Sequence, residues 1–185
     1  KTNWVSFDDI LKLKEVEAVV EIYYNSFQFE NTIRKLSELY ESPFELYEQL
    51  GSFYQRHSEN GEKHSRVKRY ELLLNFIKKR NFEENIQWEE TKDFYLRENA
   101  KSRPGFSKNI EKYKHQIREF FKGEEVRTIL MDYEDYDSKQ LEKMTHVEVF
   151  GINEDNLTYI LFDYKHRNPL NKQAKLINIT KQIKR

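Results

Sequence analysis

The chain has 185 residues with 32 basic and 32 acidic side chains, so it is long enough for one hydrophobic core and carries no net field toward nucleic acid or anionic membrane. It contains no cysteine, which excludes disulfides, thiolate catalysis, cysteine-ligated zinc and any iron–sulfur cluster held by its own residues. Its 13 Phe and 12 Tyr, against 5 Gly and 3 Pro, predict an aromatic core, a helix-dominated surface and no long flexible linker.

From the N-terminus, Ser6 reads as an N-cap with Asp8 and Asp9 in the first turn. Ile10, Leu11, Leu13, Val16, Val19, Val20 and Tyr23 recur at helical spacing and predict a first helix ending near Asn25. Phe29, Ile33, Leu36, Leu39 and Tyr40 predict a second, stopped before Pro43. Ser42-Pro43-Phe44-Glu45 combines a cap, a proline at the first helical position and a capping-box glutamate. It starts a third helix with Phe44, Tyr47, Leu50, Phe53 and Tyr54 inward. Asn60-Gly61 breaks the chain, and Ser65 caps a fourth helix whose apolar face is Val67, Tyr70, Leu73, Leu74 and Ile77. A fifth helix is expected over 86–100, and a sixth over 107–121 with Ile110, Tyr113, Ile117 and Phe120 inward and Gly123 at its end.

Beyond Gly123 the period changes. Residues 126–131 are β-prone, 145–150 alternate, and 158–162 follow a turn at 151–156, which predicts a hairpin. Residues 137–142 read as one helical turn and 175–180 as a further strand. The expected fold class is α+β: a bundle of about six helices over 1–123, then a small antiparallel sheet of three to four strands over 124–185, in a single domain. No apolar run approaches the ~20 residues that span a bilayer, and no signal-peptide pattern precedes the first helix. With the missing cysteines this gives a cytoplasmic expectation, and the start at Lys1 suggests a piece of a longer protein.

Three clusters are candidates for function. Tyr95, Arg97, Glu98, Asn99, Lys101 and Arg103 crowd the end of the fifth helix before Pro104-Gly105 reverse the chain. They suit a substrate or domain-docking surface; equally, Arg103 can bond the last helical carbonyls and Arg97 can pair with a carboxylate. The helix face over 63–80 carries Lys63, Arg66, Lys68 and Arg69 around Tyr70, which fits either phosphates with Tyr70 stacked on a base, or a solvated face with a core tyrosine. His146 and Glu148 share one strand face, with Asp163 expected across the hairpin, as a general acid/base or as cross-strand polar pairs. Seven Lys/Arg and no acid over 165–185 oppose a mostly acidic 124–142 stretch; the two can pair, or the tail can form a polyanion-binding edge.

The histidines, His57, His64, His115, His146 and His166, show no metal-ligand spacing, so no metal site is expected. No glycine-rich phosphate loop or dinucleotide fingerprint is present, and no catalytic residue can be assigned.

Several pieces together resemble a known family: Tyr23-Tyr24-Asn25-Ser26 with Phe29, Glu41-Ser42-Pro43-Phe44, and His64-Ser65 before Arg69-Tyr70-Glu71. Asp93-x-Tyr95-Leu96-Arg97-Glu98-Asn99 with Arg103-Pro104, and Tyr136-Asp137-Ser138-Lys139 leading into Met144-Thr145-His146, complete the set. The chain resembles the C-terminal domain of unknown function of bacterial cobalamin-binding-domain radical SAM proteins. That resemblance implies a parent enzyme with a cobalamin-binding domain and a radical SAM barrel, where three cysteines hold a [4Fe-4S] cluster that cleaves S-adenosylmethionine. Lacking cysteine, this chain holds neither cluster nor S-adenosylmethionine, and whether cobalamin is used is left open. It is expected to bind no cofactor itself and to be a non-catalytic accessory domain, packing on the barrel of the same polypeptide and helping substrate recognition. An RNA-binding or other polyanion-binding module of an RNA-modifying radical SAM enzyme is the alternative, and an independent small-molecule enzyme using His146 is a second.

Overall fold

The computed structural model describes residues 6–57, 64–81, 84–100, 102–151 and 153–184; the Asn60-Gly61 break, Lys63 and Lys101 lie outside the described residues. In chain order, helices α1 (Phe7–Tyr23), α2 (Glu30–Ser37), α3 (Pro43–His57), α4 (Arg66–Lys79), α5 (Glu84–Arg97), α6 (Lys114–Lys122), α7 (Glu125–Ile129) and α8 (Ser138–Met144) precede strands β1 (Thr145–Phe150), β2 (Thr158–Asp163) and β3 (Lys175–Asn178), and α9 (Thr180–Ile183) closes the chain. This is an α+β fold. Two compact units divide within α5: the first runs to Phe94 and takes in Pro104–Phe106, and the second comprises Tyr95–Arg103 and Ser107–Arg185. Helix α6 thus shares a unit with the sheet.

In the first unit the sequence caps form largely as expected. Ser6 Oγ accepts from the Asp9 amide at 3.1 Å while Asp9 accepts from the Ser6 amide at 3.0 Å. Ser65 Oγ accepts from the Lys68 amide, and Ser42 Oγ from the Glu45 amide; the Glu45 carboxylate reaches the Glu41 amide rather than that of Ser42. Of the residues at helical spacing on α1, Val19 and Tyr23 are buried, but Ile10, Leu11 and Leu13 are 42%, 45% and 51% exposed, so only the second half of that apolar set enters the core. Where α1 meets α3, a Cβ on Gly51 would lie 3.0 Å from the Glu15 carbonyl oxygen, so the missing side chain permits the close approach. Phe44 and Val67, expected on apolar faces, are also exposed, as is Leu39.

The core of this unit is a chain of rings. Phe29 lies 4.8 Å from Tyr23 and 4.4 Å from Tyr70, and Tyr70 in turn meets Phe94 at 5.2 Å and Phe106 at 5.8 Å. These edge, tilted and stacked contacts add to the large area each ring removes from water. Helix α2 has no side-chain cap of its own; the Asp93 carboxylate from α5 instead accepts from the amides of Asn31 (3.2 Å) and Thr32 (2.9 Å) and from both side chains.

In the second unit β1, β2 and β3 form an antiparallel sheet in that order. Thr145 pairs with Asp163, His146 with Phe162, Val147 with Leu161 and Glu148 with Ile160. Val147, Val149, Tyr159 and Leu161 therefore share the face that packs on Phe120, Phe121, Val126, Leu130 and Leu141, while His146 and Glu148 lie on the other. Residues 126–131, expected as a strand, fold as α7 and a 3₁₀ turn. Val126 and Leu130, four apart, both bury in this core, and that helical spacing overrides the β-branched composition. The sixth helix begins later than expected, at Lys114, behind a 3₁₀ turn that Asn109 Oδ1 anchors through the Glu111 amide. Gly151, at φ 130°, turns the β1–β2 connection where a Cβ would come within 2.6 Å of the Asn156 carbonyl oxygen.

Candidate functional site

The site is built from the last turn of α5. Carbonyls left open at a helix end need donors, and here Tyr164 Oη donates to Tyr95 (2.9 Å) and Glu98 (3.0 Å), the Ala174 amide to Leu96 (2.8 Å), and Arg167 to Arg97 (3.1 Å). Arg167, not Arg103, thus fills the carbonyl-binding role that sequence reading allowed for Arg103. Held this way, the Tyr95 ring stacks on His146 with centroids 3.8 Å apart and planes 16° from parallel. Arg103 returns to the same place after the chain turns. Its Nη2 donates to the Lys108 carbonyl at 2.7 Å and to Glu148 Oε1 at 2.8 Å.

Glu148 is 1% exposed and is the hub. Burial pushes its carboxyl up, but hydrogen bonds from His146 and Arg103 outweigh burial and hold it below the usual range. An ionised carboxylate only accepts, so the His146 Nε2 that lies 3.2 Å from Oε2 carries a hydrogen. On Arg103, burial works against the charge and Glu148 more than offsets it. On Tyr95, burial and then the Glu148 charge raise the phenol. Two clusters expected separately in the sequence, Tyr95 with Arg103 and His146 with Glu148, are one.

Beside it is an open cleft of about 290 Å³, bounded by Arg103, Lys114, Arg118 and His146, with Glu142 as the acid among them. Lys114 and Arg118 sit four residues apart on one face of α6, a spacing indistinguishable in sequence from a solvated helix side.

The other expected residues play different parts. Arg97 and Glu98 contribute carbonyls to the α5 end, and Asn99 Nδ2 donates to the Lys143 carbonyl at 3.1 Å. Asp163 does not join His146: paired with Thr145, it takes the opposite sheet face, because alternate residues point to opposite sides. There it accepts from Tyr133 Oη, from the Lys165 amide at 2.9 Å and from His166 Nδ1 at 2.7 Å, with Asp132 lying 3.4 Å from His166 Nε2. Burial raises the Asp163 carboxyl, and the bonds from Tyr133 and His166 bring it below the ordinary range. Tyr133 and His166 were not singled out from sequence, since nothing local links them. On the basic face, Tyr70 is 1% exposed and donates to the Gln28 carbonyl, so it cannot stack on a base. Arg66 and Lys68 remain on the surface, Lys68 near Glu71 at 3.6 Å, and the Arg69 carbonyl accepts from Tyr23 Oη.

Among the described residues no group of His, Asp and Glu is placed to hold a metal ion, and no helix is long and apolar enough to cross a membrane. A family model described as a protein of unknown function, DUF4080, matches residues 1–177. The chain belongs to the DUF4080 family. No curated protein and no solved structure matches it. The match takes in every residue of the Tyr95–Arg103–His146–Glu148 cluster and of the cleft, so both lie within the DUF4080 domain.

Proposed function

We propose that this DUF4080 chain is a non-catalytic accessory module of a radical SAM, cobalamin-binding-domain enzyme, and that it serves substrate recognition. The observation that carries this reading is the buried Glu148, which fixes Arg103 and His146 together at the edge of a cleft. Such an anchor spends its hydrogen bonds on orientation, which is what a recognition surface needs from charged side chains. Without cysteine the chain supplies no thiolate for an iron–sulfur cluster, which in this reading is held by another part of the parent protein. The polyanion reading loses its aromatic platform, because Tyr70 is a core residue.

The test compares the full-length parent, anaerobically reconstituted, with a version truncated before this chain. Reductive cleavage of S-adenosylmethionine is expected to survive truncation while conversion of the enzyme's substrate falls. Loss of cleavage from a truncated protein that stays folded would overturn the recognition role and make the chain part of the catalytic barrel instead.

A further inference from the structure

The cleft of the second unit has a composition that goes further than a generic recognition surface. Lys114 and Arg118 project from α6, and Arg103 and His146 from the anchored cluster, so four basic side chains border about 290 Å³, against Glu142 as the single acid among the lining residues. Glu148 already neutralises Arg103, and Lys114 meets Glu111 at 2.6 Å. Arg118 has no ion pair among the described residues. Arg103 Nη1 is buried yet has no acceptor among them, although a buried charged donor without a partner is costly. Ile117 and Phe121 add an apolar wall. The volume is at the lower end of small-molecule pockets, too small for a polymer to fill.

We propose that this cleft binds a small molecule carrying an oxyanion, a carboxylate or phosphate, on an apolar body. Arg118 and Lys114 meet the oxyanion, Arg103 supplies a held guanidinium, and the apolar part rests on Ile117 and Phe121. The proposal rests on the recognition role above and names what is recognised.

The test titrates the chain, followed by amide and arginine side-chain NMR, with hexanoate, hexyl phosphate and, as the neutral counterpart, hexan-1-ol. Saturable shifts at Arg118 and Val147 are expected with an oxyanion probe, and whichever of the two binds tighter assigns carboxylate or phosphate. Arg118→Ala, on an exposed side chain, is expected to weaken that binding about tenfold, the worth of one charge-assisted hydrogen bond. No saturable shift at the cleft, or equal affinity in Arg118→Ala and Lys114→Ala, would overturn the proposal. Hexan-1-ol binding as tightly as the anions would overturn the oxyanion assignment while leaving the recognition role standing. That role fails separately, if truncation of the parent leaves substrate conversion unchanged.

Discussion

The first unit buries Glu90 and Asp93 one turn apart on α5 with no ion pair to either among the described residues, whereas the second buries Glu148 and Asp163 and gives each a histidine, with an arginine added at Glu148. Neither oxygen of Glu90 has a hydrogen bond of good geometry among the described residues, and burial, then the nearby Asp93, hold its carboxyl well above the usual range. Burial also raises Asp93 to about 6, despite four hydrogen bonds from Asn31 and Thr32. In the second unit burial also raises Glu148 and Asp163, yet their hydrogen bonds outweigh it and both end below the ordinary range. Burial alone therefore does not decide the charge; the donors do. Asp93, with only Asn31 and Thr32 as donors, stays raised, whereas Glu148 with histidine and arginine, and Asp163 with tyrosine and histidine, are lowered and oriented.

The largest effect that tests this contrast is expected from Glu148→Ala. It strands Arg103 beside a buried site and should cost the second unit about 3 kcal/mol or more, read from urea titrations followed by the NMR signals of each unit. A loss below about 1 kcal/mol would break the comparison. The next effect is a pH dependence of opposite sign in the two units. Asp93 titrates near 6 in the folded chain against an ordinary 3.8, so between those values the folded form binds the extra proton. The first unit should lose up to about 3 kcal/mol as pH rises from about 4 to 6. Glu148 and Asp163 are lowered on folding, so their contribution is present above the ordinary carboxylate range and is lost as pH falls below it. Urea midpoints for each unit across pH 3 to 7 separate the two slopes, and parallel slopes would contradict the assignment.

A smaller change is expected from Gly151→Ala, at about 2 kcal/mol, because a Cβ at φ 130° would strain the turn that keeps His146 and Glu148 in register. Thermal unfolding measures the cost, and the Glu148-bonded His146 signals report any change of register. The smallest is Glu90→Gln, below about 1 kcal/mol at neutral pH, since burial disfavours the charged carboxylate and the amide is a neutral side chain of the same shape. A large loss from Glu90→Gln would mean that its carboxylate has a charged role.

How much of this was legible in the sequence follows the range of the interaction. The N-cap at Ser6, the helical turn over 137–142, the cap at Ser65 and the hairpin over 145–163 depend on neighbours within a few residues and were readable. Residues 126–131 were misread because composition was weighed above spacing. Asp93 caps a helix 61 and 62 residues away, and Arg103 meets Glu148 across 45, pairings no local rule reaches. Tyr95, Arg103, His146 and Glu148 were each picked out, but their union, and the addition of Lys114 and Arg118, required the fold.

The path of the chain through α5 also bears on how the protein is made. Phe106, whose ring contacts Tyr70 and Phe94, belongs to the first unit, yet Tyr95–Arg103, which precede it, belong to the second. A ribosome delivers these residues in order, so the first unit cannot finish its core until residues of the second have already emerged. No single cut yields both halves intact: a break after Phe94 leaves one without its last ring, and a break after Phe106 leaves the other without Tyr95 and Arg103.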